Sequence, residues 1–297
     1  MSTVPYIGEI LSLTAAVLWA LAIVLFKRSG ESVHPVALNA FKDVLAVFLY
    51  LPTLAIAGVS LIQPYPLGDY LLLLASGVIG IAVGDTLLFK SLFVIGAGPS
   101  ALVSCLYSPF IIGLSYVWIG ERLTLLQLAG VSLIVTAVFE ATRSGDGSSL
   151  ALRRRWAGIG WGVLAQASMA VGVVMIKPLL DESPLLWAVE IRLIGGVLAL
   201  LLFLWINPRR GRILSTLLER SNRGYTVASS VIGGYVAMMI WLGGIKLTKA
   251  SIASALNQTN TIFVLIFAAV VLRERITPGR VLAIVLAVAG ALMVTFG

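Results

Sequence analysis

Five ionisable side chains lie inside stretches of sequence that are otherwise apolar. They are Lys42, Asp43, Asp85, Glu190 and Arg192. A charge in hydrocarbon costs at least about 2.5 kcal/mol, so each of them needs a partner, a wet cavity or a function. The cations could hold a carboxylate or phosphate group of a ligand, and the acids could bind a coupled proton. The alternative is structural: an ion pair such as Asp43 with Arg192, or side chains that extend to the membrane interface.

Uncharged polar, aromatic and sulfur-containing side chains form a second group of candidates. Amides in hydrocarbon need hydrogen-bond partners, so they either line a wet path or join neighbouring helices. Tyrosine and tryptophan could contact a ligand or fill the core. The candidates for the lining of one shared cavity are Trp19, Ser104, Tyr107, Gln166, Met169, Tyr235, Trp241, Asn257, Gln258 and Asn260.

The stretches that carry these residues are expected to be membrane-spanning helices. Hydrophobic residues make up 59% of the 297 residues and charged residues only 11%, whereas a soluble domain carries about 25% charge. About 20 apolar residues cover the hydrocarbon, where the backbone must satisfy its own hydrogen bonds. The pattern predicts an all-α integral membrane protein with ten spans, at 9–26, 35–57, 69–90, 97–118, 124–141, 157–176, 184–206, 224–245, 250–271 and 277–296.

The chain repeats itself. Gly120-Glu-Arg-Leu-Thr124 returns 153 residues later as Arg273-Glu-Arg-Ile-Thr277, and Trp19 corresponds to Met169 at an offset of 150. The repeat predicts two five-helix units, residues 1–145 and 146–297. Because five is an odd number, the second unit enters the membrane from the other side. The charged residues 42–43 and 190–192 then lie at corresponding places in spans 2 and 7.

These features resemble a known group of proteins. Ten spans, two inverted units and the Gly-Glu-Arg-Leu-Thr signature after span 4 resemble the drug/metabolite transporter superfamily, and most closely its EamA-type exporters. The segments 97–101 and 108–110 are similar to the family's fourth span. The resemblance implies a central cavity flanked by spans 4 and 9, alternating access, and the export or exchange of amino acids, drugs or other metabolites. The second unit departs from the first, because Asn257–Thr261 replaces Ser104–Ser108.

Several other classes of function are disfavoured by the sequence. No G-x-x-x-x-G-K-[ST] motif occurs, so ATP-driven transport by this chain is not expected. His34 and Cys105 are the only histidine and the only cysteine. They cannot build a metal site, and no cofactor or enzymatic activity is expected. The net charge of +8 sits mostly in short loops beside span ends, which indicates membrane topology rather than nucleic-acid binding.

The distribution of lysine and arginine predicts orientation. The loops after spans 1, 3, 5, 7 and 9 hold most of these residues, so the charge bias places both termini outside. The resemblance implies the opposite. The chain is expected in a prokaryotic inner membrane, and no oligomer is required to form the cavity. Five tryptophans near predicted span ends are expected to anchor at the membrane interface: Trp118, Trp156, Trp161, Trp187 and Trp205.

The combined prediction is a secondary active transporter of small polar or amphipathic metabolites, an amino-acid or drug exporter that works by alternating access. Its partners would be the lipid bilayer, a small-molecule substrate and, as candidate coupling ion, the proton. Export rests on the resemblance alone. The alternative is an exchanger or importer of the same fold for nucleoside-like, nucleotide-like or cationic substrates. A membrane scaffold that uses the Arg-rich segment 207–223 is disfavoured.

Overall fold

A computed structural model describes residues 6–119, 124–143, 149–219, 222–247, 256–257, 259–274 and 277–296, and these residues contain helices and no strand. The first half contains α1 (Ile7–Ser29), α2 (Pro35–Ile56), α3 (Leu67–Ile95), α4 (Ala97–Ser104), α5 (Tyr107–Ile119) and α6 (Leu125–Arg143). The second half contains α7 (Ser149–Val174), α8 (Lys177–Glu182), α9 (Leu185–Ile206), α10 (Arg210–Ser215), α11 (223–247), α12 (Asn260–Val271) and α13 (Pro278–Phe296).

Seven helical stretches in the described part of the chain are long and apolar enough to cross a membrane. They are α1, α2, α3, α9, the pair α4 and α5, most of α7, and α11 up to Gly244. The chain is therefore an all-helical integral membrane protein. Three shorter apolar helices, Leu125–Phe139, Asn260–Val271 and Val281–Phe296, coincide with predicted spans 5, 9 and 10, and the count of ten spans stays a prediction.

The helix boundaries follow local sequence signals. Pro35 opens α2, and His34 accepts a hydrogen bond from the Val36 amide through Nδ1 at 3.2 Å. Gly96 separates α3 from α4 with a φ of 89°, which favours glycine. Glu274, from the far end of the chain, accepts hydrogen bonds from the amides of Ala97 at 2.8 Å and Gly98 at 3.3 Å. This carboxylate caps the first turn of α4, because the amides there have no partner within the helix.

Two of the long helices contain a π-helical segment, Val78–Asp85 within α3 and Ile232–Val236 within α11. A π segment changes the backbone hydrogen bonding, and such segments are frequent at functional sites. Side chains from neighbouring helices bond to both segments. The Asn39 amide donates to the carbonyl of Ile81 at 3.0 Å, and Trp19 Nε1 donates to the carbonyl of Gly233 at 3.2 Å.

Small residues let the helices of the two halves approach closely. A Cβ atom at Gly172 of α7 would lie 3.0 Å from the Cα atom of Gly80 in α3. In the same way, a Cβ atom at Gly233 of α11 would lie 2.8 Å from the Cβ atom of Ala22 in α1. Close backbone approach through small residues is a usual basis of helix association in lipid.

The expectation for Trp187 as an interface anchor is wrong. Its side chain is fully buried, stacks on Tyr65 with ring centroids 4.9 Å apart, and donates a hydrogen bond to the Leu61 carbonyl. The segment between α2 and α3 supplies both partners, so the end of the span is covered by protein rather than by lipid. The other four tryptophans of that group are exposed.

Candidate functional site

A cavity of about 540 Å³ lies between the helices of the two halves. Helices α1, α2, α3, α4, α5, α7, α9, α11 and α12 all contribute to its wall. Most of the residues predicted from the sequence line it: Trp19, Lys42, Asp43, Asp85, Ser104, Tyr107, Gln166, Met169, Arg192, Trp241, Asn257 and Asn260. Whether these residues contact a substrate stays a prediction.

Two of the predicted residues that the structure describes, Glu190 and Tyr235, are not among the lining. Glu190 is fully buried outside the cavity, and its carboxylate oxygens have no hydrogen-bond partner among the described residues. Tyr235 lies behind Tyr50, with the rings edge to face at 5.2 Å, and its hydroxyl shares a hydrogen bond with Thr53 at 2.6 Å. Gln258 lies outside the described residues.

The position of Glu190 follows from helix geometry. Successive residues turn by about 100°, so Glu190 and Arg192 are about 200° apart on α9. When Arg192 faces the cavity, Glu190 must face the opposite side. The sequence alone could therefore have placed Glu190 and Arg192 on opposite faces of the helix.

Lys42 forms the centre of an acidic cluster. Its ammonium nitrogen lies 2.9 Å from Asp43 Oδ1 and also bonds to the carboxylate of Asp85. The side chain of Asp43 is 1% exposed and that of Asp85 is 21% exposed. Adjacent residues on a helix lie about 100° apart, which predicts that Lys42 and Asp43 would not pair face to face, yet the two side chains are in contact. The long, flexible lysine side chain bends back towards Asp43. The contact is an ion pair only, because Asp43 Oδ1 has no hydrogen-bond partner among the described residues.

Arg192 has no such acidic partner. No carboxylate of the described residues lies within 4.0 Å of its guanidinium group, and its Nε atom has no hydrogen-bond partner. The guanidinium group passes beside the π-helical segment of α3, where a Cβ atom at Gly80 would lie 3.5 Å from Nη2. Tyr107 and Asp85 are within electrostatic range of it. Arg192 therefore presents a positive charge to the cavity, and no described acid forms an ion pair with it.

Uncharged groups complete the wall. The Trp19 and Trp241 rings meet at 5.6 Å with a tilt of 54°. Gln166 Nε2 lies 3.4 Å from Ser104 Oγ. Four buried polar atoms of uncharged lining residues have no partner among the described residues: Tyr50 Oη, Trp241 Nε1, Asn257 Oδ1 and Asn260 Oδ1. The cavity thus combines an aromatic wall with a cation, an acidic cluster and unsatisfied amide and indole groups.

Sequence reasoning missed Tyr50, which lines the cavity and is fully buried. It follows Asp43 by seven residues, so the two lie on the same face of α2. That spacing could have identified it. In the described part of the chain no group of three or more His, Cys, Asp or Glu side chains could hold a metal ion.

Comparisons with known proteins agree with this architecture. The model of the EamA-like transporter family matches residues 6–142 and, a second time, residues 156–296. An uncharacterized transporter of Archaeoglobus fulgidus is 25% identical over 275 residues, which cover 90% of each protein. An uncharacterized transporter of Methanothermobacter thermautotrophicus is 24% identical and is matched over 80% of its length. One crystal structure, 19% identical, superposes with a TM-score of 0.67 over 97% of this chain and 96% of the other, and therefore shares the fold.

Proposed function

Because the chain belongs to the EamA-like transporter family, we propose that it is a secondary active transporter of small polar or amphipathic metabolites, such as amino acids or drug-like compounds. The observation that carries the proposal is the central cavity, where a cation, an acidic cluster and amides face one shared space between apolar helices. Ionisable groups within spans mark substrate and ion pathways in membrane proteins. We expect the substrate to bind in this cavity.

We further propose that residues 1–145 and 146–297 are inverted five-helix repeats that open the cavity to each side in turn. The second match of the family model supports the duplication. So does the lining, because residues at the repeat offsets of 150 and 153 occupy it in pairs: Trp19 with Met169, Lys42 with Arg192, Gly80 with Gly233, Ser104 with Asn257, and Tyr107 with Asn260. The π-helical segments of α3 and α11 also correspond, which gives each half one irregular helix at the cavity.

Export is the proposed direction, with a proton bound by Asp43 or Asp85 as coupling ion. Export rests on the family resemblance. Protonation of either acid would weaken its contact with Lys42, so a bound proton would change the charge network in the cavity. The alternative is an exchanger or importer of the same fold. The charge bias would place both termini outside.

Transport by the reconstituted full-length protein tests the proposal. Proteoliposomes would be assayed with labelled amino acids, nucleosides and organic cations, with and without a proton gradient. Ser104→Trp would fill the cavity from α4 and is expected to abolish uptake and counterflow. The matched control is Ser132→Trp, because Ser132 is exposed on α6, outside the cavity lining. Equal transport by both variants would contradict the cavity as the substrate path.

A further inference from the structure

The connection between α9 and α11, residues 207–222, is rich in arginine. We infer that this connection forms a binding surface for the headgroups of anionic phospholipids, and that Arg209 and Arg212 hold one phosphate group between them. The surface lies at one end of the spans, apart from the central cavity, so the inference does not depend on which compound the cavity takes.

The first observation is exposed positive charge. Four arginines in or beside the connection are exposed: Arg209, Arg210, Arg212 and Arg223. No carboxylate of the described residues lies within 4.0 Å of any of them. Two of them donate hydrogen bonds to backbone carbonyls, Arg210 to Trp205 at 3.0 Å and Arg223 to Leu218. The connection therefore presents several cations that form no ion pair with a described acid.

The spacing of two of these arginines suits a single phosphate group. Arg209 directly precedes α10, and Arg212 lies within that helix. Residues three apart on a helix are neighbours, with Cβ atoms about 5–6 Å apart. Each guanidinium group is a planar fork that donates pairs of hydrogen bonds to phosphate oxygens. Two neighbouring forks can therefore hold the same phosphate group.

Exposed apolar side chains accompany the arginines. Trp205 and Ile206, at the end of α9, are 71% and 64% exposed, and Leu218 is 68% exposed. Tryptophan is enriched at membrane interfaces, and arginines beside exposed apolar side chains are typical of an element that lies in the interface. A phospholipid offers phosphate to the arginines and hydrocarbon to the apolar side chains. A free anion in water offers only the first.

The connection is held in position by the rest of the protein. The Ile213 side chain is buried. The backbone amide of His34 donates to Thr216 Oγ1 at 3.0 Å, and Asn222 Nδ2 donates to Ser32 Oγ at 3.0 Å. These contacts fix the connection to the segment between α1 and α2. A surface that is already ordered loses little conformational entropy when a ligand binds.

The corresponding connection of the first half carries no charge. Residues 57–66, which lie 150 positions earlier than 207–216, contain no lysine, arginine, aspartate or glutamate. They cover Trp187 near the start of α9, whereas the 207–222 connection follows the end of that helix. The two connections therefore lie at opposite ends of α9. Since the fold does not require charge at this place, the arginines indicate a partner at one membrane face only.

Lipids that differ in the headgroup test the inference. Phosphatidylglycerol, phosphatidylcholine with the same acyl chains, and inorganic phosphate would be titrated into the purified full-length protein in a neutral detergent. Thermal unfolding would measure stabilisation, and mass spectrometry of the intact protein would count retained lipids. Phosphatidylglycerol is expected to bind at least about tenfold more tightly than phosphatidylcholine, and this preference should shrink as the salt concentration rises.

Paired variants locate the surface. Arg209→Gln with Arg212→Gln is expected to weaken phosphatidylglycerol binding at least about tenfold, because each arginine near an anionic headgroup contributes to it. The matched control is Arg153→Gln with Arg154→Gln, which makes the same charge change at two exposed positions of α7. Adjacent helix residues point about 100° apart and do not hold one phosphate together, so this control should stay within about threefold of the wild-type protein.

Equal losses in the two double variants would overturn the inference, because net charge rather than this surface would then attract the lipid. So would equal binding of phosphatidylcholine and phosphatidylglycerol by the wild-type protein. Stabilisation by inorganic phosphate as large as that by phosphatidylglycerol would assign the arginines to a free anion instead. The single variants Arg209→Gln and Arg212→Gln are each expected to show part of the loss. If the double variant does not fold, wild-type affinity in both single variants overturns the inference.

Discussion

Helices α2 and α9 each place two charged residues near the middle of the molecule, yet they use them differently. On α2, Lys42 and Asp43 both line the cavity and contact each other. On α9, Arg192 lines the cavity, whereas Glu190 is buried outside it without a hydrogen-bond partner among the described residues. A spacing of one residue keeps two side chains within reach of one surface, and a spacing of two residues separates them.

The difference shows that a charge inside a span has no single meaning. Lys42 belongs to a network that includes Asp43 and Asp85, so its loss would leave buried acids uncompensated. Arg192 lines the cavity, and no carboxylate of the described residues lies within 4.0 Å of it. Glu190 is buried within electrostatic range of Tyr50. The three residues therefore occupy three different environments: a charge network, the cavity wall, and a buried position outside the cavity.

The largest effect is expected when the network on α2 is broken. Lys42→Met removes the cation that holds Asp43 and Asp85, and loss of one partner of a buried ion pair costs about 3–5 kcal/mol. Unfolding of the purified protein in detergent would measure the loss. The control is the same substitution at Lys90, whose ammonium group lies 5.1 Å from the centre of the Trp161 ring. Such contacts contribute only about 0.5–1 kcal/mol at exposed sites, so Lys90→Met is expected to lose no more than that.

A combined variant separates charge from packing. Lys42→Met with Asp43→Asn and Asp85→Asn removes the whole network, and an apolar or neutral replacement of a buried ion pair is often near neutral. We expect the triple variant to regain most of the stability lost by the single one. Persistence of the full loss would show that the lysine side chain acts through packing rather than charge.

The second prediction concerns the helix crossings beside these charges. A Cβ atom at Gly77 would overlap the backbone carbonyl of Arg192, where α3 crosses α9. A Cβ atom at Gly234 would lie 3.3 Å from Lys42 Cγ, where α11 crosses α2. Overpacking against backbone costs about 1–3 kcal/mol, so Gly77→Ala should destabilise the protein by that amount.

Gly234→Ala meets a flexible side chain instead and also favours the helix, by up to about 1 kcal/mol. We expect it to be neutral or slightly stabilising in the same unfolding measurement. If Gly77→Ala and Gly234→Ala lowered the free energy of unfolding equally, the crossings on α9 and α2 would be equally rigid. The predicted difference between these two crossings would then be wrong.

Much of this arrangement could be predicted from the sequence, because long apolar stretches force helices in lipid. The repeat also predicted corresponding places for the charged residues 42–43 and 190–192 and for the segments 104–108 and 257–261, and each of these four segments contributes to the cavity lining. The sequence analysis did not predict the positions of individual side chains correctly. Composition does not tell how a lysine side chain bends towards its neighbour, nor that a preceding loop covers Trp187. The outward position of Glu190 was predictable, but only by following the helix residue by residue.

The third prediction tests the isolated acid on α9. A buried polar group without a partner costs about 1–3 kcal/mol, and an apolar group of similar shape avoids this cost. Glu190→Leu should therefore raise stability by about 1 kcal/mol and leave ligand-induced stabilisation unchanged. Glu190→Gln is the matched control, because its amide stays equally unsatisfied. If a ligand no longer stabilised Glu190→Leu, the result would show that Glu190 contributes to ligand binding.

The smallest effect is expected at the starts of the same two helices. His34 caps α2 through Nδ1, whereas α9 begins after Pro184 without a side-chain cap. Burial, and then the charge of Lys90, lower the pKa of His34 below its usual 6.5. The unfolded chain therefore binds a proton at a higher pH than the folded protein, so the contribution is complete above about pH 6.5 and is lost as the pH falls.

Thermal unfolding from about pH 8 to about pH 5 would measure this contribution. His34→Asn keeps a capping side chain without a titrating group and is expected to flatten that part of the pH dependence. His34→Ala should lose about 1 kcal/mol at neutral pH, as expected for a missing cap. Because α9 has no capping side chain at its start, Pro184→Ala should leave the pH dependence as in the wild-type protein. An unchanged pH profile in His34→Asn would assign the acid sensitivity to the charged residues of the cavity instead.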